Sequence, residues 1–506
     1  MMFEPTRALE EFSFLFSQDG GYVRIPIWGH ISLARPARRI IEHPMFMHLS
    51  RIRQLGFVHY VFPGASHTRF EHSIGTYHLS VLMLQRLVLN PSSWAENQNP
   101  HPYPLPPRSR RGNTDNASSI QDNAKGVKIG GTENAPAPKI SREEACLFLA
   151  AALLHDIGHY PFAHLVDRLP GDFGPAFEAH EDRAKDCILG DTSPGSIYAI
   201  LRDDWGADPE KVVDVIMRPQ ESGLPGKMLS GILDPDKMDY LMRDAWACGV
   251  PYGNIDTDRL IESLVLDVEG PRHRLGITEK GIAPLESLVF AKYMMFRHIY
   301  WHHTVRIAAA MLVRFVQEGL EAGIVDPGDF YRLGDDALLE ELVGRSRNLP
   351  IGELIGGLWE RTLYKRGFTL YPEHAVEEEF ALSGAELERV RQLYWDPSLR
   401  RRKERQICDL LSQKEGIELR GFEVLLDIPK VNSVFDIGDF KELHVQVNGR
   451  EGNAFVPFNS HGFTQLTADF AQEFERFSRK VQILCRPDLR DAVARHRCDI
   501  KAIVVE

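Results

Sequence analysis

The stretch Ala151-Ala-Leu-Leu-His155-Asp156-Ile-Gly-His159-Tyr-Pro-Phe-Ala-His164 sets four polar groups into a sequence otherwise apolar enough to be core. Burying such groups costs free energy unless they are hydrogen-bonded or bound to metal. A lone core histidine is ordinarily structural, but adjacent His155 and Asp156 with His159 one turn on reverse that expectation. Two further segments offer matching donors: His72 in His67-Thr-Arg69-Phe-Glu71-His72-Ser, and Asp236 in Asp234-Pro-Asp-Lys-Met-Asp-Tyr240. Together His72, His155, Asp156 and Asp236 form a set of two imidazoles and two carboxylates, suited to Mn2+, Fe2+ or Zn2+ with positions left for water and substrate. A metal so held generates hydroxide near neutral pH and neutralises charge on a phosphoryl oxygen, so phosphoester hydrolysis is the natural chemistry. Arg69, three residues before His72, shares its helix face and puts a guanidinium where phosphate oxygens would lie. Asp236, Tyr240 and Asp244 recur at steps of four with Lys237 adjacent, so one helix face carries a candidate ligand and two candidate substrate contacts.

Helices must position these residues. Ser141-Arg-Glu-Glu144 has the form of a capping box, with a helix expected from there into His155. Apolar residues from Ile40 to Leu55 recur mostly at spacings of three or four until Pro63-Gly64 marks a break, and the helix bearing His72 is expected to start near Ser66 to Thr68. Gly and Pro signals bound further helices at 178–189, 196–204, 227–246, 283–319, 334–345, 351–363, 384–396 and 399–413. Residues 1–35, with alternating apolar positions and glycines from Gly20 to Leu33, read as short strands and a turn forming a flap. Leu264-Val-Leu-Asp-Val268 and Leu275-Gly-Ile277 read as a hairpin, and from Gly421 the segments Phe422 to Asp427, Glu442 to Val447 and Val481 to Cys485 are β-rich. The expectation is a mainly α protein: a helical core over 36–420, carrying a Pro-, Asn-, Ser- and Gly-rich insertion at 97–138, followed by a small C-terminal α+β lobe over 421–506.

Composition narrows the partners. A net charge of −12, from 59 basic and 71 acidic side chains among 506 residues, opposes binding to nucleic acid or anionic membranes outside a local basic patch. Anionic substrates then require a locally positive pocket. Six scattered cysteines without a C-x-x-C pair suit reduced thiols and argue against structural zinc. The start lacks signal-peptide character and no apolar run has transmembrane length, so a cytoplasmic protein without a membrane partner is expected.

The order His72, His155-Asp156, Asp236 matches the H…HD…D signature of the HD phosphohydrolase superfamily. The flanking text is more specific. Val61-Phe-Pro-Gly-Ala-Ser-His-Thr-Arg-Phe-Glu-His-Ser-Ile-Gly75, His155-Asp-Ile-Gly-His-Tyr-Pro-Phe-Ala-His164 and Asp234-Pro-Asp-Lys-Met-Asp-Tyr240 closely resemble motifs of the deoxynucleoside triphosphate triphosphohydrolases. The similarity spans roughly residues 20 to 320 with gaps, and more weakly the C-terminal lobe. It implies hydrolysis of a deoxynucleoside triphosphate to deoxynucleoside and inorganic triphosphate, on an HD-domain helical core that assembles as a homo-oligomer, a tetramer or hexamer. His72, His155, Asp156 and Asp236 would be the metal ligands. His159, His164 and His180 would surround the α-phosphate, with His164 in proton transfer and Asp167 orienting it. The resemblance assigns Arg69, Lys237 and Lys292 to phosphates carrying Mg2+, and Gln54, Leu55, Asp244 and Tyr300 to sugar or base, beside Tyr240 on the Asp236 face. Lys292 stands where an arginine is usual.

Departures bear on regulation. Where many members have Asp-Pro-Ile/Val-His-Gly in the flap, this chain has Ile25-Pro-Ile-Trp28-Gly29, and both polar positions are lost. Met47 and Ser50 replace polar and basic nucleotide contacts in the following helix, which argues against the familiar guanine-nucleotide activator site. The same metal set would also serve a nuclease or cyclic-nucleotide phosphodiesterase, although net acidity disfavours long nucleic acid and no HD-GYP signature follows His155-Asp156. A non-catalytic nucleotide sensor is the third reading; the intact ligand positions and His159 and His164 oppose it.

Overall fold

A computed structural model describes residues 11–89, 140–162, 177, 179–267, 274–372, 380–428, 443–449, 452–459, 463–464 and 480–506. The 97–138 insertion lies outside the described residues, as do His164 and Asp167. The fold is mainly α with small sheets. The helices that build the site are α1 (Arg69–Leu89), α2 (Arg142–Leu154), α3 (His180–Leu189), α4 (Pro235–Cys248), α5 (Ile282–Met295) and α6 (His303–Glu321).

Local sequence explains where these helices start and stop. Ser141 accepts a bond from Glu144 N at 3.2 Å while the Ser141 amide donates to the Glu144 carboxylate at 2.8 Å, completing the expected capping box of α2. Every residue from Ala145 to Leu154 is buried, so α2 is an apolar central helix rather than an amphipathic one, and α1 packs along it. At the start of α1 the Thr68 amide donates to Glu71 at 2.7 Å. The Arg69 and Gln54 amides bond the carbonyls of Ile52 and His67, each at 3.0 Å, tying the 52–54 segment to the same point.

Two expected helices are each divided. The 227–246 span is two helices, Gly223–Leu229 and α4, because Asp234 takes a capping conformation, accepts from Lys237 N at 2.6 Å and precedes Pro235, which has no N–H to continue a helix. The 283–319 span is also broken. α5 passes into a π-helical turn at Phe296–Tyr300, and α6 starts only after Trp301 and the N-capping His302. The helix expected near 196–204 is present as Ile197–Ile200 continuing into a π-helical turn at Leu201–Trp205, and the one expected at 351–363 is shorter, at Gly352–Trp359.

The flap is an antiparallel hairpin of β1 (Tyr22–Ile25) and β2 (Gly29–Ser32). The expected internal hairpin, β3 (Leu264–Asp267) with β4 (Arg274–Thr278), is present. β5 (Lys365–Pro372) and β6 (Ala381–Leu382), unexpected from the sequence, join β7 (Val424–Asp427) and β10 (Val481–Cys485) in a sheet ordered β6-β5-β10-β7, while β8 (His444–Gly449) and β9 (Gly452–Pro457) extend the internal hairpin as β3-β4-β8-β9. Both four-stranded sheets therefore draw strands from either side of residue 421. The chain ends in two short helices, Arg490–Arg495 and Arg497–Val505. Among the described residues no helix is long and apolar enough to cross a membrane, and all six cysteines are free thiols.

Candidate metal centre

Three elements deliver the four proposed ligands to one place. His72 sits in the first turn of α1, His155 and Asp156 follow the last residue of α2, and Asp236 lies in the first turn of α4. Donor atoms of His72, His155 and Asp156 all lie within 4.8 Å of one another. Asp236 Oδ1 is 2.9 Å from His72 Nε2 and 3.7 Å from His155 Nε2. Burial is graded across the set: the His72 side chain is 1% exposed, whereas that of Asp236 is 34% exposed, giving the cluster one side open to solvent.

The donor set fits a divalent cation. His155 donates Nδ1–H to the Ala152 carbonyl at 2.9 Å, which fixes its tautomer and turns Nε2 inward. That Nε2 is buried and makes no hydrogen bond. An imidazole nitrogen aimed at two carboxylates without a bond is the arrangement expected of a ligand atom.

Electrostatics follow from charges packed without water. Burial alone would lower His72, but hydrogen bonds to Asp236 and Asp239 raise it to about 10. His155 is likewise raised, Asp156 and Asp236 outweighing burial. Asp156 is held well below the carboxylate range despite burial, by Arg69, His155 and His159, and Asp236 is held low despite burial by the neighbouring imidazoles of His155 and His72. Burial, reinforced by Arg69, pushes His159 well below the ordinary imidazole value.

Gly158 shapes the next ring of side chains. A Cβ there would lie 1.9 Å from the His180 carbonyl oxygen, so only glycine lets α3 approach the turn after α2. The close approach stacks His159 on His180, ring centroids 4.0 Å apart, while His159 Nε2 lies 3.1 Å from Asp156. Arg69, buried on α1 as its spacing implied, donates to Asp156 at 2.7 Å. Lys237 points elsewhere: its ammonium donates to the Gly231 carbonyl at 2.8 Å and to Asp234 at 2.5 Å.

A second group extends from the cluster along α4. Tyr240 lies between the His72 and Tyr300 rings, 6.5 Å from each. Tyr300, carried by the π-helical turn, donates to Asp244 at 2.5 Å, and burial with the Asp244 charge raises its phenol well above the usual value. His67 holds the other Asp244 oxygen at 2.8 Å. Gln54 is half-buried beside the start of α1, and its Oε1 makes no hydrogen bond; Leu55 packs on the core. Lys292 is half-buried on α5, a helix that packs against α4.

Sequence reasoning gave no role to His67, Asp239 or Arg243. Arg243 is four residues after Asp239 on one face of α4, the spacing of a helical ion pair, and makes two 2.8 Å bonds to it, so that pair was visible in the pattern. Trp28, read as the loss of a polar position, retains a polar function: its indole N–H donates to Asp239.

Comparison with known proteins gives the following relatives. Residues 255–451 match the family described as HD associated region, which lies after the cluster in the chain. The chain is 29% identical over 347 residues to the uncharacterized protein MJ1154 of Methanocaldococcus jannaschii, covering 69% of this chain and 59% of the relative. It is 24% identical over 386 residues to the deoxynucleoside triphosphate triphosphohydrolase SAMHD1 of Bos taurus, covering 67% and 57%. Its fold is shared with a phosphohydrolase from Bacteroides thetaiotaomicron, with a TM-score of 0.57 and 20% identity over 92% of this chain and 99% of the other. The chain spans about half to three-fifths of the length of the curated relatives it matches.

Proposed function

We propose that this chain, which is similar to HD-domain proteins among which are deoxynucleoside triphosphate triphosphohydrolases, is a metal-dependent phosphohydrolase that cleaves a deoxynucleoside triphosphate to deoxynucleoside and inorganic triphosphate. The observation that carries this reading is the convergence of His72, His155, Asp156 and Asp236 from three distant segments around a buried, unbonded His155 Nε2. These four residues would hold Mn2+, Fe2+ or Zn2+. Bound there, such an ion supplies Lewis acidity and lowers the pKa of water.

In the reaction the oxygen of water forms a bond to the α-phosphorus, the bond from phosphorus to O5′ breaks, and O5′ takes up a proton. Arg69 would face the phosphate oxygens from α1, its guanidinium already fixed by Asp156. His159 would stand beside the α-phosphate, with His180 stacked on it. His164 would hold the proton for O5′ and Asp167 would orient it. Lys237, exchanging its bond to Asp234 for a phosphate oxygen, and Lys292 would bind the triphosphate with Mg2+. Tyr240, Asp244, Tyr300, Gln54 and Leu55 would surround the sugar and base. The same reading includes a homo-oligomer, tetramer or hexamer, in the cytoplasm.

The test is release of nucleoside and triphosphate from each dNTP, singly and mixed, in Mg2+ and Mn2+, with the His155→Ala, Asp156→Ala double variant as control. Release that the double variant lacks is expected, and the contrast between single and mixed substrates reads the need for an activator. Absence of release from protein shown to contain metal would remove this assignment and favour a nuclease or phosphodiesterase.

A further inference from the structure

The N-terminal hairpin reaches the surroundings of the histidine and aspartate cluster through the Trp28 side chain. Trp28 lies in the turn joining β1 to β2, and its indole Nε1–H donates to Oδ1 of Asp239 across 211 positions of sequence. Asp239 is fully buried, and both its oxygens accept two bonds. Oδ1 receives Trp28 and Arg243 Nη2, the latter at 2.8 Å; Oδ2 receives Arg243 Nε at 2.8 Å and His72 Nδ1 at 2.9 Å. With Nδ1–H so engaged, His72 presents Nε2 toward Asp236 and Asp156.

α1 is shaped to admit this chain of contacts. His72, Gly75 and His78 follow at steps of three on one face. A Cβ at Gly75 would lie 1.8 Å from Asp239 Oδ1 and 2.6 Å from Arg243 Nη2, so glycine there opens the seat of the carboxylate. The Trp28 ring lies against His78 with centroids 5.9 Å apart. The turn that presents Trp28 is itself strained: Ile27, a β-branched residue, has φ of 75° in the left-handed region.

We propose that Trp28 is a positioning residue for the metal centre, using the docked hairpin to complete the set of donors that locks Asp239 and, through it, the tautomer and ring orientation of His72. The proposal rests on the reading of His72 as a metal ligand. A carboxylate saturated by four donors cannot turn without breaking one. Removing the indole N–H leaves Oδ1 with Arg243 alone, so the carboxylate keeps three of its four donors and holds His72 Nδ1 less rigidly.

The experiment is titration of the metal-free protein with Mn2+ by calorimetry, in wild type and Trp28→Phe, with the visible spectrum of the Co2+ forms recorded alongside. Partners that bond a ligand directly change metal affinity by about 10- to 100-fold, and Trp28 acts one bond further out, so a loss of about 3- to 10-fold with altered Co2+ bands is expected. A folded Trp28→Phe protein with wild-type affinity and spectrum overturns the proposal. A second measurement needs no variant: selective 15N labelling gives seven indole signals, and the Trp28 N–H is expected to shift and exchange more slowly when Zn2+ binds, by reciprocity of coupling. An unchanged Trp28 signal in protein that has bound Zn2+ overturns it equally. Wild type that binds no divalent metal overturns the metal reading itself, a result distinct from failure of Trp28 alone.

Discussion

Two regions of this molecule bury charge, and they do it in opposite ways. Where α6 meets β7, Arg306 donates from Nε to Asp427 at 2.9 Å, from Nη2 to the other carboxylate oxygen, and to the Ile428 carbonyl at 3.2 Å. Charge is matched there and the pair is inaccessible, at 5% and 6% exposure. At the cluster between α1, α2 and α4, two histidines and two aspartates crowd together, yet His155 Nε2 has no bond and Asp236 opens to solvent. Satisfied burial serves architecture; unsatisfied burial beside an opening is what a ligand-binding centre requires.

The sharpest way to break this distinction is His155→Ala with Asp156→Ala. If the cluster is a site, hydrolysis and metal binding should fall by at least about a thousand-fold in the folded fraction, and because Asp156→Ala also strands buried Arg69, some loss of metal-free stability accompanies it without accounting for the lost binding. Metal binding retained by the folded double variant would make the cluster architectural. The converse variant, Arg306→Ala, strands Asp427 without its cation and is expected to cost about 3–5 kcal/mol in urea unfolding, with turnover per folded molecule retained.

An intermediate case sharpens the scale. Asp335 is buried with one donor, the Arg53 amide at 2.6 Å, and burial raises its carboxyl from the ordinary 3.8 to about 6. Because the folded state holds this proton more tightly than the unfolded one, the stabilisation it gives is complete below pH 3.8 and is lost as pH rises through 6. The loss should amount to about 2–3 kcal/mol, read as a falling urea midpoint, and Asp335→Asn should flatten that slope. The smallest effect is expected from Ser141→Ala, which removes an exposed cap from the helix leading to His155. It should cost about 1 kcal/mol of stability and leave metal affinity unchanged.

Legibility in the sequence followed the range of the physics involved. The start of α2 at Ser141, the hairpin of β3 with β4 and the helical placement of His72 and Asp236 depend on neighbours within a few residues, and each appeared as expected. The split at Asp234-Pro235 carried a local signal too, a cap followed by proline, but apolar periodicity on both sides masked it. β5 was hidden for another reason: its partners β10 and β7 come from much later in the chain, so its strand character is set by tertiary pairing rather than by a local pattern. At the candidate site, the four residues that converge were readable from residue type and order. The bond from Trp28 to Asp239 was not, because an indole reads as an apolar residue until its N–H is seen to find a buried carboxylate.

The π-helical turn at Phe296–Tyr300 has a consequence for how such a site changes over time. One additional residue in that turn advances all that follows by about 100° around the helix axis. Tyr300 therefore owes its seat against Asp244 to phase as much as to its own identity. Deleting a single codon within the turn would re-index the wall beside α4 in one mutational event, a reorientation that no single amino-acid exchange reproduces. Insertions and deletions there form a separate, coarser dial for remodelling that wall than substitution of the residues lining it.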